Sequence, residues 1–476
     1  MSNKKYNGIP YHLWNPFTPM EDFLPLLGYG STVITRGKGP YVYNNRGKCY
    51  IDGKSSSRNV HVGHGRKEII EAANKQMQEI EFATCSFSVH PRAIELANKL
   101  IEITSGNYGY VYLGTNGSEA VETALKLARQ YHRQSPNQKD HNRFKIISLK
   151  GSYHGFSFGS ISTSGLERHF AKYGPLLPGF TQIEPPYCYR CPYGNESYPG
   201  CKLECAQALE KKILSEGKEK IAAFIFEPIM GLFGVVEPPK EYYEVVCEIC
   251  QHYNILLIAD EVTTGFGRTG KIFVTQDWNI QPDILCLGKG ISSGYLPLSA
   301  TLSTDEIYER FKGEGNLFKS GSTASGHPVC SAVGLANINI IINEKLTENA
   351  AKVGTYLKSN LEKLMDKCEI IGDVRGKGLM IGIELVKDRK NKISIEEKDT
   401  NKIATDIALL GLLIDFHRGF IGLFPPLIID IDIADKIIEI LEKAFRKNLL
   451  TSFARKGRIV KEAITTKLYS TINTES

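Results

Sequence analysis

The sequence predicts an α/β fold whose large domain is built on a mostly parallel sheet, with a small α+β domain beside it. From about Gly63 onward, strand-like apolar runs alternate with helix-like periodic segments, the pattern of strand–helix–strand units. Three runs, Ile221 to Phe226, Ile255 to Ala259 and Asp283 to Leu287, are apolar on both faces, as strands buried under helices are. After Gly326 the pattern turns helical, and a mixed segment from Asp373 to Val386 marks the second, smaller unit.

Taken in order, the first sixty residues read as an arm and a small sheet, with Tyr41-Val42-Tyr43 running into the turn Asn44-Asn45-Arg46-Gly47. Val111-Tyr112-Leu113 is a strand, Gly114 to Gly117 a small-residue loop, and Val121, Ala124, Leu125 and Ala128 the apolar face of a helix. Lys145 to Leu149 is a further strand. The expected division is 1–62 for the arm and part of the small domain, 63–330 for the large domain and 331–476 for the rest of the small one, with a polar tail beyond Arg446 that frays.

The 476 residues are 42% hydrophobic and 23% charged, enough to bury a sizeable core. Lysine and arginine number 58 against 52 acidic residues, and the net +6 is scattered rather than gathered into a basic stripe, so nucleic acid is not an implied partner. Met1 to Gly8 is polar, and no apolar stretch is long enough for a bilayer. The expectation is a cytoplasmic protein with no membrane partner. Its eleven cysteines, an odd number set mostly singly in apolar runs such as those of Cys286 and Cys330, suit reduced core thiols better than a disulfide framework.

The chemistry gathers where strands end in charge, at the edge where open α/β sheets bind ligands. Ile258-Ala259-Asp260-Glu261-Val262 leads to Gly265-Phe266-Gly267-Arg268-Thr269-Gly270 and then Leu287-Gly288-Lys289-Gly290. A carboxylate at a strand end holds a pyridine nitrogen protonated, because an opposite charge raises the pKa of that cation. A desolvated lysine is neutral and nucleophilic enough to form an imine. A lysine between glycines is more often a solvated loop residue, and only its combination with Asp260 argues otherwise. Gly117 and Ser118 open a helix, where backbone N–H groups suit a phosphate, although Ser118 also reads as a plain N-cap. Tyr153, in Tyr153-His154-Gly155, stands where an aromatic stacks on a planar ring, or simply packs in the core.

These residues resemble the class III aminotransferases, a fold-type I pyridoxal-phosphate family. The resemblance runs in family order through Gly117-Ser118-Glu119-Ala120, Tyr153-His154-Gly155, Glu227-Pro228, Asp260-Glu261-Val262, Lys289-Gly290, Ser325-Gly326-His327-Pro328, Arg375-Gly376-Lys377-Gly378 and Pro425-Pro426-Leu427. It implies an enzyme that moves an amino group from an amine or ω-amino acid donor to a 2-oxo acid, pyruvate or 2-oxoglutarate, with pyridoxal 5'-phosphate as cofactor. Lys289 would form the Schiff base and carry the proton, and Asp260 would face the ring nitrogen. Gly117, Ser118, Tyr153, His154, Glu227 and Val262 would complete the cofactor site. Thr323 matches a threonine that reaches the phosphate of a neighbouring subunit, which implies a homodimer with composite active sites.

Two departures stand out. Thr263 occupies a position where many relatives carry glutamine, and Arg58 one that is often apolar or tryptophan. Arg58 is a candidate for fixing an acidic group of the substrate, with a structural ion pair as the equal alternative. Arg418 and Trp14 are further candidates for the substrate pocket. Cys188, Cys191, Cys201 and Cys205 are spaced like a zinc or iron–sulfur site, but the chemistry needs no metal and none is expected. Two rival readings are a pyridoxal-phosphate aminomutase or racemase on the same fold, and a non-catalytic cofactor-binding module. The second is disfavoured by the presence of both Lys289 and Asp260 and by the lack of a DNA-binding segment.

Overall fold

The computed structural model describes residues 33–104, 106–194 and 198–447, together with 12–17 and two short paired strands, Lys5–Tyr6 and Ile9–Pro10. The fraying expected beyond Arg446 falls almost wholly outside the described residues, as does most of Met1 to Gly8. Among the described residues no helix is long and apolar enough to cross a membrane.

A seven-stranded sheet organises the chain, in the spatial order Tyr108–Gly114, Ser299–Thr304, Ile284–Leu287, Leu256–Asp260, Ile221–Phe226, Lys145–Leu149, Phe180–Ile183. All its strands are parallel except Ser299–Thr304, which is antiparallel to both neighbours. The three central strands Ile221–Phe226, Leu256–Asp260 and Ile284–Leu287 are buried on both faces, as the apolar runs predicted. Alternate side chains part to opposite sides: Ile146, Ile258, Ile284 and Cys286 pack against the helix Gly117–Arg133, whereas Ile147, Leu257, Ala259, Leu285 and Leu287 join the larger core on the other face. Phe224 and Phe226 are fully buried there, and truncating either costs about 3–5 kcal/mol.

The small unit is an antiparallel sheet in which the hairpin Ile371–Lys377 and Met380–Asp388 pairs with Phe420–Leu423, and that strand with Asp415–His417 at the edge. The early strands Ile34–Lys38, Tyr41–Asn44 and Cys49–Asp52 form a third sheet, completed by Leu412–Leu413 from the far end of the sequence. N- and C-terminal segments thereby share one structure, and the turn after Asp52 lies against the small sheet: Phe424 N donates to Gly53 O at 2.7 Å.

Candidate active site

Five of the large sheet's strands send their next residues to one edge. Asp260 ends its strand, Glu227 and Lys289 follow theirs, Tyr153 and His154 follow Lys145–Leu149, and Asn116 to Ser118 follow Tyr108–Gly114. Together Asn116, Gly117, Ser118, Tyr153, His154, Gly155, Asp260, Val262, Thr263 and Lys289 enclose a cavity of about 150 Å³. Lys289 therefore does not lie on a solvated loop.

Asp260 is 5% exposed. Its Oδ1 accepts Val262 N–H at 3.1 Å and its Oδ2 lies 2.8 Å from His154 Nδ1. A carboxylate only accepts, so Nδ1 carries the proton. That leaves His154 Nε2 buried with no partner among the described residues.

Lys289 opens a short 3-10 turn with φ +41°, a left-handed conformation that costs a non-glycine residue energy and persists only where the surroundings impose it. The flanking glycines have a packing reason. A Cβ on Gly290 would lie 2.4 Å from His61, and one on Gly288 3.1 Å from Val262. Lys289 Nζ donates to Thr263 Oγ1 at 2.8 Å. Thr263 thus faces the amine directly, a role that the comparison with glutamine-bearing relatives did not suggest. Burial, aided by the Arg58 charge and opposed by Asp260, Glu227 and Asp415, lowers the amine from 10.5 to about 8.

The N-cap of Gly117–Arg133 is Asn116, not Ser118: Asn116 Oδ1 accepts Glu119 N–H at 3.1 Å, and Glu119 Oε2 accepts Thr115 N–H at 2.8 Å. The Asn-x-x-Glu spacing is a capping signal that could have been read. Ser118 is left free of capping, and its Oγ accepts Phe156 N–H at 3.0 Å, so its own proton is available to an anion. A Cβ on Gly117 would sit 2.8 Å from Val262 and one on Gly155 2.4 Å from Ser118 Oγ. Backbone therefore approaches closely from two sides.

Glu227 is not among the cavity-lining residues. Its carboxylate accepts Tyr153 N–H at 2.9 Å and Gly231 N–H at 3.1 Å, so it supports Tyr153 from behind, and burial pushes it up to about 7. The Tyr153 ring lines the cavity instead of packing in the core, edge-on to Phe156 and His169.

The remaining predicted residues are not gathered around this cavity. The Arg58 side chain forms an ion pair with Asp415 and lies over the Phe424 ring. Arg418 is exposed in the turn after Asp415–His417, and Glu396, whose carboxyl is lowered chiefly by Lys398, also feels its charge. Trp14 is 81% exposed. Thr323 is exposed too, on the segment before the helix Pro328–Asn343.

Cys188, Cys191, Cys201 and Cys205 do converge, around a small cavity walled by Pro185, Tyr187 and Pro239. All four are free thiols, and among the described residues no group of three or more side chains is arranged to hold a metal. Burial first, then the neighbouring Cys188, pushes Cys205 up to about 12, so that thiol stays protonated at neutral pH.

The profile of the class-III aminotransferases matches residues 28–445. The taurine–pyruvate aminotransferase of Bilophila wadsworthia is 37% identical over 91% of this chain and 95% of its own length. The putrescine–pyruvate aminotransferase of Pseudomonas aeruginosa is 34% identical over 89% and 92%. Among solved structures, an amine transaminase from an uncultivated Pseudomonas species, in its pyridoxal-phosphate-bound form, superposes with a TM-score of 0.88 at 36% identity, covering 92% of this chain and 99% of that one. With its sheet, its strand-edge cavity and a family match over most of its length, the chain belongs to the class III aminotransferases, the pyridoxal-phosphate transaminases of fold type I.

Proposed function

We propose that the cavity at the sheet edge is the site of amino-group transfer from a primary amine to pyruvate or 2-oxoglutarate, with Lys289 and Asp260 as its catalytic residues. The observation that carries this reading is the meeting of three chemistries in one cavity: a lysine amine lowered to about 8, a buried carboxylate and a helix N-terminus with an unclaimed hydroxyl. That donor set fits pyridoxal phosphate. Gly117 and Ser118 would hold the phosphate on backbone N–H groups and the Ser118 hydroxyl. Asp260, held by His154, would face the ring nitrogen, and Tyr153 and Val262 would cover the ring.

When bound, the cofactor supplies an aldehyde for the amine and a ring that accepts electrons from the substrate carbon. The chain supplies the rest. Lys289, neutral in a useful fraction near pH 7, takes the proton from the carbon bearing the amine and later returns it. Thr263 Oγ1 holds Nζ in place between these events. Asp260, held by Val262 N–H and His154, would face the ring nitrogen as a pre-oriented acceptor.

A homodimer with composite sites is part of the same reading. The segment carrying Thr323 leads to Gly326, whose carbonyl accepts from His90 at 2.5 Å, and Phe82 packs on His327. On that same loop Phe87 is 99% and Val89 65% exposed. Bare apolar side chains beside an exposed threonine suit a surface that a second copy covers. The free thiols suit a reducing compartment such as the cytoplasm.

The activities of these two relatives frame the donors to try, from an aminosulfonate to a diamine, with pyruvate as acceptor in both. The test is a panel of amines and oxo acids, read by formation of the amino acid that matches the oxo acid. Alanine from pyruvate supports transfer. A donor that rearranges or racemises while the oxo acid is untouched overturns it in favour of a mutase or racemase.

A further inference from the structure

We infer that the four-cysteine cluster is a redox modification site, in which Cys188 and Cys201 close to a disulfide by exchange with a low-molecular-weight disulfide such as oxidised glutathione. This goes beyond the aminotransferase reading and does not depend on it, because the thiols wall a cavity that shares no residue with the one at the sheet edge.

Cys188, Cys191, Cys201 and Cys205 all face the same small space. None is linked, and among the described residues they are not arranged to hold a metal, so the partner within reach of each thiol is another thiol. Their mutual influence shows which pair is closest. Cys188 is raised by burial first, then by Cys201 and only after it by Cys191. Cys205, pushed up to about 12 by burial, next feels Cys188. Cys188 is thus the shared neighbour, and Cys201 the thiol that bears on it most. Cys188 is also the exposed member of the four, open to a reagent as large as a tripeptide disulfide. Both members of the pair stand outside the long helix Glu204–Glu216, Cys188 at the head of a three-residue 3-10 turn and Cys201 in the turn before that helix.

The exchange balances. Cys188 loses its proton, and the thiolate attacks one sulfur of oxidised glutathione, forming a mixed disulfide and expelling a glutathione thiolate. Cys201, deprotonated in turn, attacks the Cys188 sulfur, and the second glutathione thiolate leaves. The two protons given up by the protein are taken up by the two glutathione thiolates, and the two electrons lost by the cysteine sulfurs reduce the reagent to two glutathione molecules. Because the thiolate is the nucleophile and Cys188 is held above its ordinary value, the first step is slow at pH 7 and quickens as pH rises.

A disulfide holds its two Cβ atoms about 3.8 Å apart, so closing it re-sets the turn that carries Cys188. That turn is tied to the small sheet. Tyr187 Oη and Arg190 Nε both donate to Glu384, the latter at 2.5 Å, Arg190 Nη2 donates to Ser394 Oγ at 3.1 Å, and Lys392 Nζ donates to Tyr189 O at 2.7 Å. Arg375 donates to the same Glu384 at 2.8 Å and to Gly234 O at 2.8 Å. In that loop Gly231 N–H donates to Glu227, the carboxyl that also accepts Tyr153 N–H. A contiguous set of bonds therefore runs from the thiols to Tyr153 at the sheet-edge cavity, and closing the disulfide is expected to slow transfer there.

The test is incubation of the cofactor-loaded protein with oxidised glutathione at about pH 8, followed by intact mass and by peptide mapping without reduction. The expected result is a mass lower by about 2 Da, a pair of peptides joined through Cys188 and Cys201, and full reversal by dithiothreitol. Cys201→Ser should stop at a glutathione adduct on Cys188, whereas Cys205→Ser should still close. On closure kcat for an amine with pyruvate should fall about threefold or more and recover on reduction, while the turnover of Cys188→Ser should not respond to the reagent. A protein that keeps all four thiols, or that joins a different pair, overturns the inference, and unchanged turnover in the linked protein overturns its tie to the cavity. Because the link is read by mass, its failure is distinct from the absence of oxo-acid-dependent transfer, which would sink the aminotransferase reading instead.

Discussion

The state of the Lys289 amine is the property on which the proposed chemistry turns, and it can be titrated directly. In the cofactor-free chain it is lowered from 10.5 to about 8. At pH 7 the neutral fraction is then about one in ten instead of one in about three thousand, a gain of roughly 300-fold in the form that reacts. Trace acetylation with an uncharged reagent between pH 6 and 10, followed by peptide mapping, reads the midpoint for this one lysine. It is expected near pH 8. Two substitutions should move it in opposite directions: Asp260→Asn removes an anion that favours the ammonium and shifts the midpoint down, whereas Arg58→Leu removes a cation and shifts it up. The same lowering is a folding cost of at most about 3 kcal/mol. Because the folded-state value lies below the unfolded one, the cost is present below pH 8 and is relieved as pH climbs from 8 to 10.5. Lys289→Met should accordingly gain stability at pH 7 and none at pH 10.5. A midpoint near 10.5, or one that moves the same way in both variants, refutes the argument from burial and local charge.

Other outcomes follow from the same geometry. Asp260→Ala should depress transfer by about 3–5 kcal/mol, upward of a hundredfold, by leaving His154 and the ring cation without their anion, and Asp260→Asn should not rescue it. Glu227 is raised from 4.5 to about 7 by burial, so the folded protein holds that proton more tightly than the unfolded chain and stability declines as pH rises from 4.5 to 7. Glu227→Gln should flatten this slope in Tm measured at pH 4.5 and pH 7. Arg268 is fully buried and donates to Leu379 O, Pro425 O and Ser55 Oγ, so Arg268→Met strands those acceptors and should cost about 3 kcal/mol or more in urea unfolding. Thr323→Ala should speed cofactor loss on dialysis if the site is shared between subunits. Mixing it with Lys289→Ala should restore one working site per hybrid dimer.

Much of the fold was legible because its strands announce themselves locally. Ile221–Phe226 and Lys145–Leu149 stand where their apolar runs placed them, and the mixed segment from Asp373 became the hairpin Ile371–Lys377 with Met380–Asp388. Ser299–Thr304 was not legible. Its Ser-Ala-Thr-Leu-Ser-Thr sequence has no apolar run, yet it lies buried and antiparallel between Tyr108–Gly114 and Ile284–Leu287, where Thr301 Oγ1 donates to Ala120 O at 2.9 Å. The capping role of Asn116 was available in the spacing to Glu119 but was outweighed by the more familiar serine.

By itself the sequence determined which residues sit at the carboxyl edge, since a strand's end and the residue that follows are local facts set by burial and period. The family resemblance implied that Asp260, Lys289, Ser118 and Tyr153 serve one site, and all four line the cavity. What only the tertiary structure decided is what those residues meet. Thr263 as the partner of Lys289, Glu227 behind Tyr153, and Asp415 against Arg58 each depend on elements far apart in the chain being brought within bonding distance. Such pairings carry no local signature, because a hydrogen bond or an ion pair is fixed by position in space and leaves no period or spacing in the sequence around either partner.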